Sequence, residues 1–176
     1  MLDFAPAIPT LATERLVLRG PGPGDFEPFA AYFADARSWG TGGPMDRAQA
    51  WRAFASQIGH WHLRGYGLWT VVERTTGAIA GQVGFWNPEG WLEREIGWTM
   101  YPGFEGRGYA YEAAMTAHDH ACRTLGWGPL TSVIAPGNDR SIRLAERMGA
   151  RLERDWTTPN GKAALIYRHP APEVSA

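Results

Sequence analysis

The sequence holds one cysteine in 176 residues, Cys122, so no intramolecular disulfide can form and a thiolate-rich zinc site is excluded. Cys122 reads as a small buried side chain rather than a nucleophile. Lysine is also down to one: Lys162 follows Gly161 but precedes Ala163, so no Walker A loop exists. Neither charge sign dominates. Seventeen basic against eighteen acidic residues leave a net charge of −1, which removes the electrostatic case for a nucleic-acid or membrane partner. No apolar run reaches membrane-spanning length, and residues 1–9 lack a basic stretch followed by an apolar one; a soluble, cytoplasmic chain is expected. No serine sits in a Gly-x-Ser-x-Gly elbow. Gly20, Gly22 and Gly24 lack the third glycine of a dinucleotide fingerprint. His60 with His62, and His118 with His120, stand two apart and diverge on a helix, so no metal site is expected. No repeat or linker divides the sequence, and one domain over residues 1–176 is expected, with ends at 4–9 and 170–176 that look frayed.

What is present is apolar and aromatic: 44% hydrophobic residues with nine tryptophans, enough for a large core and for a pocket with rigid walls. Residues 16–18 read as a first strand. Asp25 is expected to cap a helix carrying Phe26, Phe29, Ala30 and Phe33, and a second helix repeats Trp51, Phe54, Ile58 and Trp61. Strands follow at 68–72, 79–85 and 92–100, then a long helix at 109–125. A strand at 130–134, a helix at 139–148 and a hairpin of 152–156 with 164–167 complete the order β-α-α-β-β-β-α-β-α-β-β, a mixed α/β fold.

Residues 95–113 carry the most specific signal. A strand runs into Gly103, Gly106 and Gly108 and then into a helix start, which offers unpaired backbone N–H groups and the positive end of a helix dipole to an anion such as pyrophosphate. Arg107, between two of the glycines, adds a permanent positive charge.

Glu105, Gly106, Arg107, Gly108, Tyr109 and Ala110 resemble the acyl-CoA-binding motif of the GNAT superfamily of N-acetyltransferases, except that Glu105 stands where Gln or Arg is usual. Thr13 to Arg19, the series Asn138, Ser141, Ile142, Leu144, Glu146, Met148, Gly149, and the pair Ile166, Tyr167 resemble the branch of ribosomal-protein amino-terminal acetyltransferases. The likeness covers nearly the whole chain in the right order. It implies a sheet of about seven strands flanked by four helices, acetyl-CoA as cosubstrate, no metal, and a primary amine as acceptor. Chains of this kind are often homodimers, although one sequence identifies no interface.

The resemblance further implies that backbone at Ile96 and Trp98 serves the pantetheine arm, that amides of Gly106, Arg107, Gly108, Tyr109 and Ala110 hold the pyrophosphate, and that Asn138 bonds pantetheine. Asn138 also reads simply as a helix N-cap. Ser141, one helical turn on, matches a position near the thioester sulfur and is the candidate general acid. Arg140 and Arg143 either reach phosphates or lie on a solvated face. Glu112 is expected to support structure.

An ammonium with pKa about 10.4 is about one part in a thousand neutral at pH 7, so a lysine-type acceptor needs a base, whereas an α-amine at about 7.7–8.0 needs less help. Period two places Glu93, Glu95, Gly97 and Thr99 on one face of the strand, and Glu95 is the first choice as base. The acceptor pocket is expected among Trp39, Trp51, His60, Trp61, His62 and Trp156. The competing reading is an acyl-CoA-binding sensor or interaction module of the same fold without turnover.

Overall fold

The computed structural model describes residues 7–171; most of the two chain ends expected to fray lie outside this range. One eight-stranded sheet runs in the order β1-β2-β3-β4-β5-β6-β8-β7. Its strands are β1 (Leu11–Ala12), β2 (Leu16–Arg19), β3 (Leu68–Glu73), β4 (Ile79–Trp86), β5 (Glu95–Met100), β6 (Thr131–Ile134), β7 (Arg151–Thr157) and β8 (Ala163–Arg168). The helices are α1 (Phe26–Ala34), α2 (Arg47–Arg64), α3 (Tyr109–Asp119) and α4 (Asp139–Arg147). The expected order holds, with one strand added: β1 is two residues long, too short for any periodicity, and exists because Leu11 and Ala12 pair with Leu18 and Val17. Among the described residues no helix is long and apolar enough to cross a membrane.

Every neighbouring pair of strands is antiparallel except β5 and β6, which α3 joins by a crossover. Four alanines, at 113, 114, 117 and 121, are fully buried on α3 and its continuation, so the helix lies close against the sheet. They meet Val83, Phe85 and Ile96 in the main core. The last turn of the expected long helix widens into a π turn, His120–Thr124.

Helices α1 and α2 build a second cluster from Phe26, Phe29, Phe33 and Phe54. Helix α2 starts at a reciprocal cap, in which Asp46 accepts from the Gln49 N–H at 2.7 Å and Gln49 accepts from the Asp46 N–H at 2.8 Å. Its buried face is Ala50, Phe54, Gln57 and Trp61. Trp51, one position round the helix, stays 57% exposed with Phe26 at its edge.

Two expectations need correction. Asp25 precedes α1 but its carboxylate does not cap it; it takes Arg19 in a two-pronged pair, the Thr70 hydroxyl and the Gly22 N–H. Burial alone would raise this carboxyl, yet those bonds outweigh it and hold the group below the usual range. Strand β5 starts at Glu95 rather than at 92 or 93. Glu93 lies just before the strand, and Arg168 donates to both its oxygens at 2.7 Å.

Candidate active site

The glycine-rich loop is held from behind by the early Thr13–Arg15 segment. Glu112, in the first turn of α3, accepts from the Thr13 hydroxyl at 2.5 Å and from Arg15 Nε at 2.7 Å. A second arm of Arg15 donates to the carbonyl of Arg107 at 3.0 Å, and its guanidinium lies over the Tyr109 ring. Glu112 therefore supports structure, as expected, and the start of α3 is fixed by residues nearly a hundred positions away. Gly106 and Gly108 have φ of +74° and +80°, backbone that disfavours any side chain.

In front of this loop lies an open groove of about 1000 Å³ lined by Gly106, Gly108, Tyr109, Ala110, Asn138 and Ser141. Arg37, Arg140, Arg143 and Arg147 also border it, so Arg140 and Arg143 face the groove rather than a purely solvated side. Glu105 sits between two of them, 3.7 Å from Arg37 and 3.6 Å from Arg140. Arg107 is the exception. Its guanidinium turns away to Glu73 at 3.1 Å, and Tyr109 donates its hydroxyl to the same carboxylate at 2.6 Å. Arg107 is absent from the groove lining, whereas Tyr109 lines it, and Glu73, also bound by Thr76, holds both of their side chains.

The sheet opens beside the groove. Tyr101 donates its N–H to Ala80 of β4 at 2.8 Å, so antiparallel alternation turns the backbone polar groups of Ile96, Trp98 and Met100 toward β6. The parallel pairing stops after Glu95 and Thr131. At the next step a side chain substitutes for the ladder, as Ser132 donates its hydroxyl to the Ile96 carbonyl at 2.7 Å. Ser132 in turn lies 2.9 Å from Nε2 of the fully buried His169. Ile96 is thus already engaged across the gap, and Trp98 is the residue at which the strands part.

Beyond the gap lies a cavity of about 340 Å³. Glu95 lines it with Trp39, Trp86, Trp91 and Trp98. Trp91 donates its indole N–H to Glu95 Oε2 at 2.9 Å. Burial pushes the Glu95 carboxyl up to about 8, against that bond, which lowers it. A carboxyl so displaced, in a cavity with a second candidate group nearby, is what proton transfer near neutral pH requires.

Trp39, Gly40, Trp98, Asn138 and Ser141 line both groove and cavity, so the two spaces meet there. Trp98 donates its indole N–H to Ser141 Oγ at 3.3 Å. Asn138 caps α4 by accepting from the Ser141 N–H at 3.3 Å. A Cβ on Gly40 would come within 2.6 Å of Asn138 Nδ2, so glycine there lets the α1–α2 connection close over α4.

Of the aromatic residues expected in the acceptor pocket, only Trp39 lines it. Trp61 is core, with its N–H on the Leu68 carbonyl. His60 is buried between the Tyr66 carbonyl and the Asn87 N–H, not at the surface, and His62 is exposed. Trp156 packs edge-on to Trp91. The sequence reading missed Trp86, Trp91, Gln82 and the Trp98 ring; each lies in or next to a strand, where period two alone does not show which face meets a cavity. Cys122 is half-buried, which raises its thiol, in keeping with an inert role. Among the described residues no group of three His, Cys, Asp or Glu side chains is placed to hold a metal ion.

Residues 15–151 match the family model of the acetyltransferase (GNAT) domain. A crystal structure of an acetyltransferase from Agrobacterium tumefaciens str. C58 superposes with a TM-score of 0.86 at 39% identity, covering 93% of this chain and 95% of that one. A Vibrio cholerae protein described as a ribosomal-protein-serine acetyltransferase shares the fold, with a TM-score of 0.73 at 19% identity over 93% of this chain and 98% of its own. Bacillus subtilis (strain 168) YkkB is 34% identical over 110 residues, a match that spans 57% of this chain and 64% of that relative, just under two-thirds of its length. With a family model over most of its length and a near-complete structural match at 39% identity, the chain belongs to the GNAT acetyltransferase family.

Proposed function

We propose that residues 1–176 act as one domain, an acetyl-CoA-dependent N-acetyltransferase that moves the acetyl group to a primary amine by direct attack in a ternary complex. The observation that carries this reading is the junction of groove and cavity at Trp98, Asn138 and Ser141, with the anion-binding loop on one side and Glu95 on the other. The residues fit the cosubstrate: the helix start at 108–110 for pyrophosphate, and Trp98 backbone with the Asn138 amide for pantetheine. Ile96 gives less than its position suggests, because Ser132 occupies its carbonyl.

Glu95 accepts the proton that the attacking nitrogen loses, directly or through a water. As the carbon–sulfur bond breaks, Ser141 passes its hydroxyl proton to the departing thiolate and regains one from water in the open groove. Trp98 holds the other side of the Ser141 oxygen, which leaves that proton directed away from the ring. Glu95 acts only when ionised, so turnover rises with pH through about 8. An acceptor α-amine, half neutral in the same range, matches this base better than a lysine does.

Calorimetric titration with acetyl-CoA, beside NAD and ATP, tests the reading, followed by thiol release over a panel of amines. Saturable binding of acetyl-CoA alone with amine-dependent thiol release supports it. Binding without release from any amine would favour the silent acyl-CoA module, and no binding would reduce residues 106–110 to a turn.

A further inference from the structure

The cavity beside Glu95 has an unusual charge inventory. Of the residues that line it, Glu95 is the one acid and Lys162, the chain's single lysine, is the one base. Lys162 ends the turn between β7 and β8, and its backbone is firmly set. Its N–H donates to Thr158 Oγ1 at 3.0 Å, its carbonyl accepts from the Thr158 N–H at 2.9 Å, and Gly161 donates to the Thr158 carbonyl at 2.8 Å. The same hairpin packs on the loop that precedes β5, since Trp156 meets Trp91 edge-on at 5.2 Å. Trp91 is the residue that donates to Glu95. Cation and acid therefore belong to two elements braced against each other.

Two arginines of this hairpin are already paired: Arg168 with Glu93 and Glu153, and Arg154 with Glu153. Lys162 differs, for among the described residues no carboxylate lies within 4.0 Å of it. Near neutral pH the Glu95 carboxyl is largely protonated, so Lys162, itself exposed, then carries the principal formal charge among the lining residues. The rest of that wall is uncharged: an aromatic part, with Trp39, Trp86, Trp91, Phe29 and Phe33, stands beside neutral polar residues such as Gln57, Gln82 and Asn160. The aromatic part favours an apolar body and the faces of indoles favour an amine, but no lining residue other than Glu95 offers the lysine a carboxylate.

We propose that the acceptor is an aminocarboxylate with an apolar body, its amine directed to Glu95 and its carboxylate held by Lys162. The proposal rests on the acetyl-transfer reading for the fate of the amine. The recognition of the carboxylate stands on the cavity alone. Lys162 is then the specificity-determining residue, by a charge-assisted hydrogen bond from an exposed side chain bordering the cavity, for which a discrimination of about tenfold is expected.

The test uses the full chain with saturating acetyl-CoA and a panel of aromatic and aliphatic aminocarboxylates of graded chain length, each beside the amine that lacks the carboxylate. Phenylalanine with phenethylamine is one such pair. Thiol release gives kcat/KM for each, and the parent is compared with Lys162→Met and Lys162→Arg. Taking ratios within a pair, and then between variants, cancels differences in amine basicity. We expect the parent to prefer at least one aminocarboxylate to its partner amine. Lys162→Met should erase that preference about tenfold through KM, and Lys162→Arg should restore most of it. Equal loss on both members of every pair, or a parent that prefers the amines lacking carboxylate throughout, would overturn the proposal.

If no amine is turned over, the acetyl-transfer reading falls separately. Calorimetric binding of the same pairs to the CoA-loaded chain then decides the matter. Aminocarboxylate binding weakened by Lys162→Met upholds the assignment, and indifference to the substitution, or no binding, refutes it.

Discussion

Glu95→Gln should make the protein more stable and less active, with both effects governed by pH. The Glu95 carboxyl is raised from its ordinary 4.5 to about 8 by burial, against the bond from Trp91. Because the folded-state pKa lies above the unfolded one, the folded chain binds the extra proton between these values. Stability from this group is full below about pH 4.5 and falls steadily as pH rises toward 8. At about 1.4 kcal/mol for each tenfold step, the full displacement corresponds to about 5 kcal/mol, and water entering through the cavity mouth reduces it, so about 2–5 kcal/mol is expected. Glutamine keeps the shape and an acceptor for the Trp91 N–H but never ionises. Thermal melts of parent and Glu95→Gln at about pH 5, 7 and 9 should therefore diverge, with the variant gaining about 4 °C or more in Tm over the parent at the highest pH. In parallel, kcat of the parent should rise through about pH 8, while the variant retains acetyl-CoA binding and turns over far more slowly. Parallel melting curves across this range would refute the burial argument, and coincident pH–rate profiles would remove Glu95 as base.

Gly108→Trp forces a bulky residue onto backbone at φ +80° and into the mouth of the groove; acetyl-CoA binding by calorimetry should be lost. Glu112→Ala removes the partner of Thr13 and Arg15 together, and urea unfolding should show a loss of about 2–4 kcal/mol. Trp98→Phe keeps the ring and deletes the donor to Ser141, so kcat should fall severalfold with little change in the Kd for acetyl-CoA; equal kcat would show that the indole does not orient the hydroxyl.

The fold was legible wherever one periodicity ruled a segment. The strand at 79–85, the helix at 139–148 and the glycine-rich turn between them all reappear within a residue or two. Errors gathered where a distant charge overrode a local pattern. Asp25 has the residue type of a cap, but Arg19 and Thr70 claim its carboxylate. Arg107 has the position of a phosphate ligand, but Glu73, thirty-four residues back in the chain, takes its side chain. Glu93 has the spacing of a strand residue, but it lies just before β5 with its carboxylate on Arg168. Alternation along β5 singled out Glu95, which lines the cavity, yet the aromatic wall around it comes from segments whose facing depends on how the α1–α2 connection and the last hairpin fold over the sheet. Lys162 could be excluded from a nucleotide loop by its neighbours, but nothing local announced that the residue would line the cavity beside Glu95.

Glu105, the residue that breaks the motif, gives the groove a resident counterion. With its carboxylate between Arg37 and Arg140, neither guanidinium is bare, and on the proposed reading an arriving phosphate would compete with that carboxylate for them. Entry is then an exchange of one ion pair for another, and the net electrostatic gain depends on how much more charge the newcomer brings than the single carboxylate that leaves. Chloride or a lone carboxylate gains little from such a trade, while a pyrophosphate with its adjacent negative charges gains a great deal. On the proposed reading, Glu105 would then set a threshold, disfavouring ordinary anions in the groove relative to multiply charged ones.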